Sequence, residues 1–168
     1  MYLLIAAALV ALDQFTKVWA VNTFPLGGPS VPLGLGFHFT YTQNTGAAFG
    51  ILQRGPTATL LLGVLSAAVA LGILIYLLRR AHTLSRLQLS AFTLILAGAV
   101  GNMIDRFMLG YVRDFIHFYL PNFNFPVFNV ADSCVVIGAG LLILSSFTEH
   151  PQSEGARETV PETKRGPE

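Results

Sequence analysis

The sequence predicts an all-α membrane bundle of four transmembrane helices, with a small extracytoplasmic β-sheet and a short surface helix. Three observations predict it. Hydrophobic residues make up 53% of the chain and charged residues only 11%, with a mean hydropathy of +0.60. Such a balance leaves a water-soluble domain short of polar surface but suits a bundle whose outer side chains face lipid. Four stretches are long and apolar enough to cross a hydrocarbon core of about 30 Å, which takes about 20 helical residues. All acids before the last 21 residues are aspartates, four in number, and each falls inside one of these stretches or at its outer end.

The first span, Met1 to Val21, lacks the basic start of a secretory signal, carries Asp13 and Lys17, and precedes three more spans, so it reads as a retained helix. The others are expected at Thr57 to Leu78, Leu87 to Leu109 and Phe128 to Phe147. Arg79, Arg80, His82 and Arg86 crowd the short connection between spans two and three. Positive charge there assigns that connection to the cytoplasm, which puts both termini inside and the segments 22–56 and 110–127 outside. In the first outer segment Phe37-His38-Phe39-Thr40-Tyr41-Thr42 alternates aromatic and polar residues, the mark of a strand. Its rings suit either an interfacial anchor or a platform for an amphiphilic ligand. The second, Phe115 to Pro121, has the length of a short amphipathic helix stopped by proline. Residues 1–147 thus form one membrane domain. Residues 148–168 hold all five glutamates with three prolines and no apolar period, and are expected to be a disordered cytoplasmic tail.

Net charge is +1, which gives no reason to expect a nucleic-acid partner. The single cysteine, Cys134, excludes an intrachain disulfide and reads as a small packed residue. The histidines His38, His82, His117 and His150 are scattered, so neither a metal nor a cofactor is expected.

An ionisable group inside a membrane is costly unless it is paired, faces a polar cavity or performs chemistry. Asp13 and Lys17 form an i, i+4 pair, and Asp105 with Arg106 and Asn102 makes a polar knot, so these read as structural. Asp114 follows span three and Asp132 opens span four, so an antiparallel hairpin would bring both to the outer interface, where they could face one another. Two neighbouring carboxylates cannot both ionise cheaply. One keeps its proton, and the pair becomes a metal-free acid and base suited to peptide hydrolysis. Asn44-Thr45-Gly46 sets an amide beside small residues, either as a plain turn or to let backbone approach a ligand, and Gly98 and Gly101 permit close helix packing.

Five ordered blocks carry a family resemblance: Asp13-Gln14-Phe15-Thr16-Lys17, Asn44-Thr45-Gly46-Ala47-Ala48-Phe49, Gly98 through Arg106, Val112-Arg113-Asp114-Phe115, and Phe128-Asn129-Val130-Ala131-Asp132. With them the chain resembles the bacterial lipoprotein signal peptidases, also called signal peptidase II. The resemblance implies an aspartyl endopeptidase of the inner membrane that cuts prolipoproteins before a diacylglyceryl-cysteine, at the outer face. It implies Asp114 and Asp132 as the catalytic dyad, with Asn44, Gly46, Gly98, Gly101, Asn102, Arg106, Asn129 and Ala131 supporting substrate and site. Asp13, Lys17 and Asp105 would brace the bundle, and the outer sheet would form a cradle over the site. Partners implied are diacylated prolipoproteins, membrane lipid and globomycin-type inhibitors. The short amino terminus and Arg113, where an apolar residue is common, depart from the family pattern. Two other classes fit the residues alone: a four-helix proton or cation transporter, and a non-catalytic membrane scaffold.

Overall fold

A computed structural model describes residues 1–46 and 56–148. The chain runs α1 (Tyr2–Thr23), β1 (Val31–Gly34), β2 (Phe37–Asn44), α2 (Pro56–Arg80), a 3-10 turn at Ala81–Thr83, α3 (Arg86–Leu109), β3 (Val112–Leu120), β4 (Phe123–Asn124) and α4 (Val130–Thr148). All four α-helices are long and apolar enough to span a membrane. The expected tail falls almost wholly in residues 149–168, and Ala47 to Gly50 also lie outside the described residues.

Local chemistry sets the helix ends. Ser85 and Gln88 cap α3 reciprocally, each side chain meeting the other's backbone N–H. At the far end Gly110 adopts φ +77° and returns its N–H to Arg106 O, a left-handed turn that glycine enters without strain. The central helix is α3. Within its apolar window 44% of residues are buried, against 22% in α1 and α4 and 17% in α2, so three helices surround the one that carries Asn102 and Asp105. The outward faces of α2 and α4 expose Leu60, Leu61, Val64, Ile137, Ile143 and Phe147, an apolar surface suited to lipid.

Small residues bring α4 close to α3. A Cβ on Gly98 would overlap the Ala131 carbonyl oxygen, and one on Gly138 would stand 2.8 Å from the Ala91 carbonyl oxygen. Dispersion and helix contact thus hold a seam that apolar lipid gives no reason to bury.

The sheet is antiparallel, in the order β1-β2-β3-β4. It rests on the C-terminal end of α1, where Phe24, Tyr41 and Phe115 are buried with Ala20. Trp19 meets Phe24 and Phe39 edge-on at centroid separations of 5.3 and 5.1 Å. The strand expected at 37–42 is β2. Its aromatic residues divide: Phe37 is exposed, whereas Tyr41 is buried and Phe39 packs beside it against the end of α1.

The short surface helix expected at Phe115 to Pro121 is instead strand β3. Val112 to Leu120 is rich in β-branched and aromatic residues, and pairing with β2 satisfies its backbone along the ladder Phe37↔Phe118 to Asn44↔Val112. Length and amphipathicity alone do not separate the two states in so short a run. The start of α4 moves as well, from the expected Phe128 to Val130. Phe128 is held by β3: its carbonyl accepts from the N–H groups of Phe115 and Ile116, and its N–H donates to Ile116 O.

Candidate active site

That bridge between Phe128 and Ile116 fixes the next residue, Asn129, against the strand that carries Asp114. Asn129 is fully buried and uses every polar atom of its side chain. Nδ2 donates to Asp114 Oδ1 at 2.7 Å and to Asn102 Oδ1 at 3.2 Å. Oδ1 accepts from the Asp132 N–H at 2.9 Å, while the Asn129 N–H donates to Asp132 Oδ2 at 3.1 Å. The last two bonds form a capping box at the start of α4, with Asp132 at its third helical position. One asparagine therefore holds both carboxylates that the sequence singles out.

The remaining oxygens are also satisfied. Asp114 Oδ2 accepts from Asn44 Nδ2 at 3.0 Å. The Gly46 N–H meets Asn44 Oδ1 at 3.0 Å, a local turn that fixes the amide and points its nitrogen at the aspartate. Thr59 Oγ1 donates to Thr45 O at 2.7 Å, which ties this turn to α2. Asp132 Oδ1 accepts from Asn102 Nδ2 at 2.7 Å. Asn102 Oδ1 in turn accepts from Lys17 Nζ at 3.0 Å.

Asp114 is only 2% exposed. Burial, then the nearby Asp132 carboxylate, push its pKa from 3.8 up to about 7, against the opposing pull of the Asn44 and Asn129 donors. A carboxyl poised near neutrality beside a second carboxyl, itself partly exposed, can hold a proton in one member and accept one in the other.

Beneath the pair lies a second polar cluster. Asp13 Oδ2 meets Lys17 Nζ at 2.9 Å, and Asp13 Oδ1 accepts from the Ala131 N–H at 2.9 Å, so α1 grips the start of α4. Lys17 Nζ stands 3.5 Å from Asp105. Asp105 does not pair with Arg106, as successive helical residues point about 100° apart. Its partner is Arg113, which reaches it through Nη2 at 2.6 Å, Nε at 3.1 Å and the backbone N–H at 3.0 Å. Burial lowers the Arg113 pKa, but the Asp105 bonds and charge outweigh it and raise the value. Gln14 completes the set, accepting from Arg113 Nη2 and donating to Asp13, Asp105 and Gly101 O. Two acids and two bases thus balance in the interior. Gly101 leaves room for it, since a Cβ there would stand 2.6 Å from Asp13 Oδ2.

Arg106 sits apart from this cluster. It lines a groove of about 360 Å³ with Thr45, Thr59, Leu60 and Phe107, and its Nη1 is 3.5 Å from Ser66 Oγ. Sequence reasoning missed Gln14 and took Arg113 only as a departure. The signal for Arg113 was a basic residue next to Asp114 with a buried acid eight residues earlier. The histidines are less scattered than expected, for His38 and His117 face each other across β2 and β3. Among the described residues no group of three or more His, Cys, Asp or Glu is placed to hold a metal ion.

The family model described as signal peptidase (SPase) II matches residues 5–148. The lipoprotein signal peptidase of Nostoc punctiforme is 49% identical over 152 residues, which cover 89% of this chain and 92% of that protein. That of Brevibacillus brevis is 46% identical over 88% of this chain and 95% of its own length. A bacterial membrane enzyme solved by the in meso method at 2.3 Å resolution shares the fold with a TM-score of 0.78 and 30% identity, over 95% of this chain and 94% of that one. A second, at 1.9 Å, gives 0.74 and 31%, over 89% and 94%.

Proposed function

Because the chain belongs to the signal peptidase II family, we propose that Asp114 and Asp132 are the acid and base with which it cleaves prolipoproteins. The observation that carries the reading is Asn129, whose side chain binds Asp114 and whose backbone N–H binds Asp132. In this reading Asp114 keeps the shared proton near neutral pH, in line with its pKa of about 7.

Asp132 takes a proton from water as its oxygen attacks the carbonyl carbon of the residue before the diacylglyceryl-cysteine. Asp114 gives its proton to the carbonyl oxygen. Collapse of the tetrahedral intermediate returns a proton to Asp114, breaks the C–N bond and moves the Asp132 proton to the cysteine amine. Signal peptide and lipidated amino terminus separate, and both carboxyls regain their starting states. No metal enters these steps. Asn44, Asn102 and Asn129 orient the two acids, Gly46 fixes the Asn44 amide, Arg106 flanks the adjoining groove, and Gly98, Gly101 and Ala131 let α3 and α4 approach. Asp13, Lys17 and Asp105 brace the helices that carry them. The acyl chains of the substrate enter between helices, and binding energy far from the scissile bond positions the carbonyl. Globomycin-type lipopeptides compete for the same space.

The chain is multi-pass, and the family is a bacterial one. The basic connection between α2 and α3 stands at the opposite end of α3 from the sheet, which supports an inner-membrane protein with cytoplasmic termini and an extracytoplasmic site. Family membership leaves no support for a transporter. Purified chain is tested on a diacylated prolipoprotein peptide: Asp114→Asn and Asp132→Asn are each expected to lower kcat by about 1,000-fold or more while folding normally. Full activity in either variant would remove the assignment.

A further inference from the structure

Farther along the two strands that carry Asn44 and Asp114, His38 and His117 are directly opposed in the antiparallel ladder. Opposed residues share a face of the sheet, as do residues two apart, so Tyr119 joins them. The three rings are mutual neighbours, with centroids 6.3 Å apart for the histidines and 6.4 and 6.2 Å from each to the tyrosine. They line a groove of about 470 Å³ with Ser30, Pro32 and Asn124.

Each imidazole has one nitrogen committed to a protein oxygen. His38 Nδ1 is 3.2 Å from Gly36 O, and a carbonyl only accepts, so Nδ1 carries the proton and Nε2 keeps its lone pair. His117 Nε2 is 2.7 Å from Asn124 Oδ1, so Nε2 donates and Nδ1 keeps its lone pair. This is the outer arrangement that metal-ligating histidines use: the second ring nitrogen donates to a fixed oxygen, which sets the tautomer and leaves the lone pair on the first. Two rings sharing a tetrahedral metal at about 2.0–2.1 Å stand with centroids about 5 Å apart, about 1 Å closer than these two.

We propose that His38 and His117 form a two-imidazole site for a divalent transition-metal ion of the zinc and copper class, with water and the polar groups of Tyr119 and Ser30 available for the remaining positions. Imidazole nitrogen suits these ions, and copper(II) binds such donors most tightly of the first-row divalent metals. The bound ion bridges β2 and β3. It is separate from the carboxylate pair.

The test uses full-length protein in detergent, without a polyhistidine tag and stripped with chelator, titrated with copper(II) chloride. Expected are one bound ion per chain and an electron paramagnetic resonance spectrum with coupling to two imidazole nitrogens. His38→Gln and His117→Gln should each weaken binding by about tenfold or more, with circular dichroism unchanged, while His82→Gln and Asp114→Asn bind as the wild type does. A wild-type spectrum with fewer than two imidazole nitrogens overturns the proposal without recourse to any variant. Unchanged affinity in both histidine variants, or loss of binding in Asp114→Asn, does so too.

Discussion

Asn129 and Asp132 cap each other: each backbone N–H is bound by the other's side chain, at 3.1 and 2.9 Å. The asparagine therefore has two separable duties, to start α4 and to hold Asp114. Serine can perform the first but has no amide for the second. Asn129→Ala should cost about 0.5–2 kcal/mol of stability, and Asn129→Ser only a fraction of that. Both should lower kcat by about 10- to 100-fold through loss of the bond to the Asp114 carboxyl. Thermal unfolding in detergent and peptide cleavage check the two duties separately. A serine variant as active as the wild type would mean that the amide does not tune the pair.

The pKa of about 7 at Asp114 has a sign in both activity and stability. If the protonated form is the working acid, kcat/KM declines tenfold per unit above about pH 7. Between 3.8 and about 7 the folded chain holds a proton that the unfolded chain has released, so stability falls as pH rises through that window. From about pH 5 to about pH 8 the loss is on the order of 2 kcal/mol. Asp114→Asn cannot ionise, and its unfolding should change less between those conditions than that of the wild type. An equal pH response in both chains would remove the burial penalty assigned to this carboxyl.

The spans were legible because length and hydropathy are local properties. β2 was legible for a similar reason: alternation from Phe37 to Thr42 is written in consecutive residues. β3 was not, since its strand state depends on a partner about 70 residues earlier. The two aspartates could be singled out from their places at the ends of successive spans. The resemblance named Asn44, Asn102 and Asn129 beside them, but how these side chains bond to the pair was not legible, because the position of Asn129 follows from the Phe128 bridge to Ile116. Arg113 stood out only as a departure from the family pattern: its partner Asp105 belongs to α3 and Arg113 to β3, on opposite sides of the Gly110 turn, so no single helical or strand period joins them.

Close packing of α3 on α4 predicts a sharp difference among glycines. Gly98→Ala places a methyl onto the Ala131 carbonyl, one residue before Asp132. Overpacking of this kind costs about 1–3 kcal/mol, and a displaced α4 should lower kcat as well. Gly140 is exposed on the same helix with nothing within 4 Å of an added Cβ. Gly140→Ala should be neutral or stabilising by up to about 1 kcal/mol through helix propensity. Equal stability in the two variants would show that the seam relaxes freely.

The Asp105 and Arg113 pair should show strong coupling. Asp105 is fully buried and its Oδ1 lies 2.6 Å from Arg113 Nη2, whereas Lys17 is at 3.5 Å and already shared with Asp13. Arg113→Met leaves Asp13 and Asp105 with one lysine between them, an uncompensated buried charge that costs about 3–5 kcal/mol. Asp105→Asn should cost less, because the Arg113 side chain is 11% exposed and can turn toward water. The double variant restores neutrality through Asp13 and Lys17 alone and should be more stable than Arg113→Met, with a coupling of about 2 kcal/mol or more. Unfolding of the four chains in detergent closes the cycle. Strict additivity would mean that Arg113 acts through its backbone bond to Asp105, which every variant at position 113 retains.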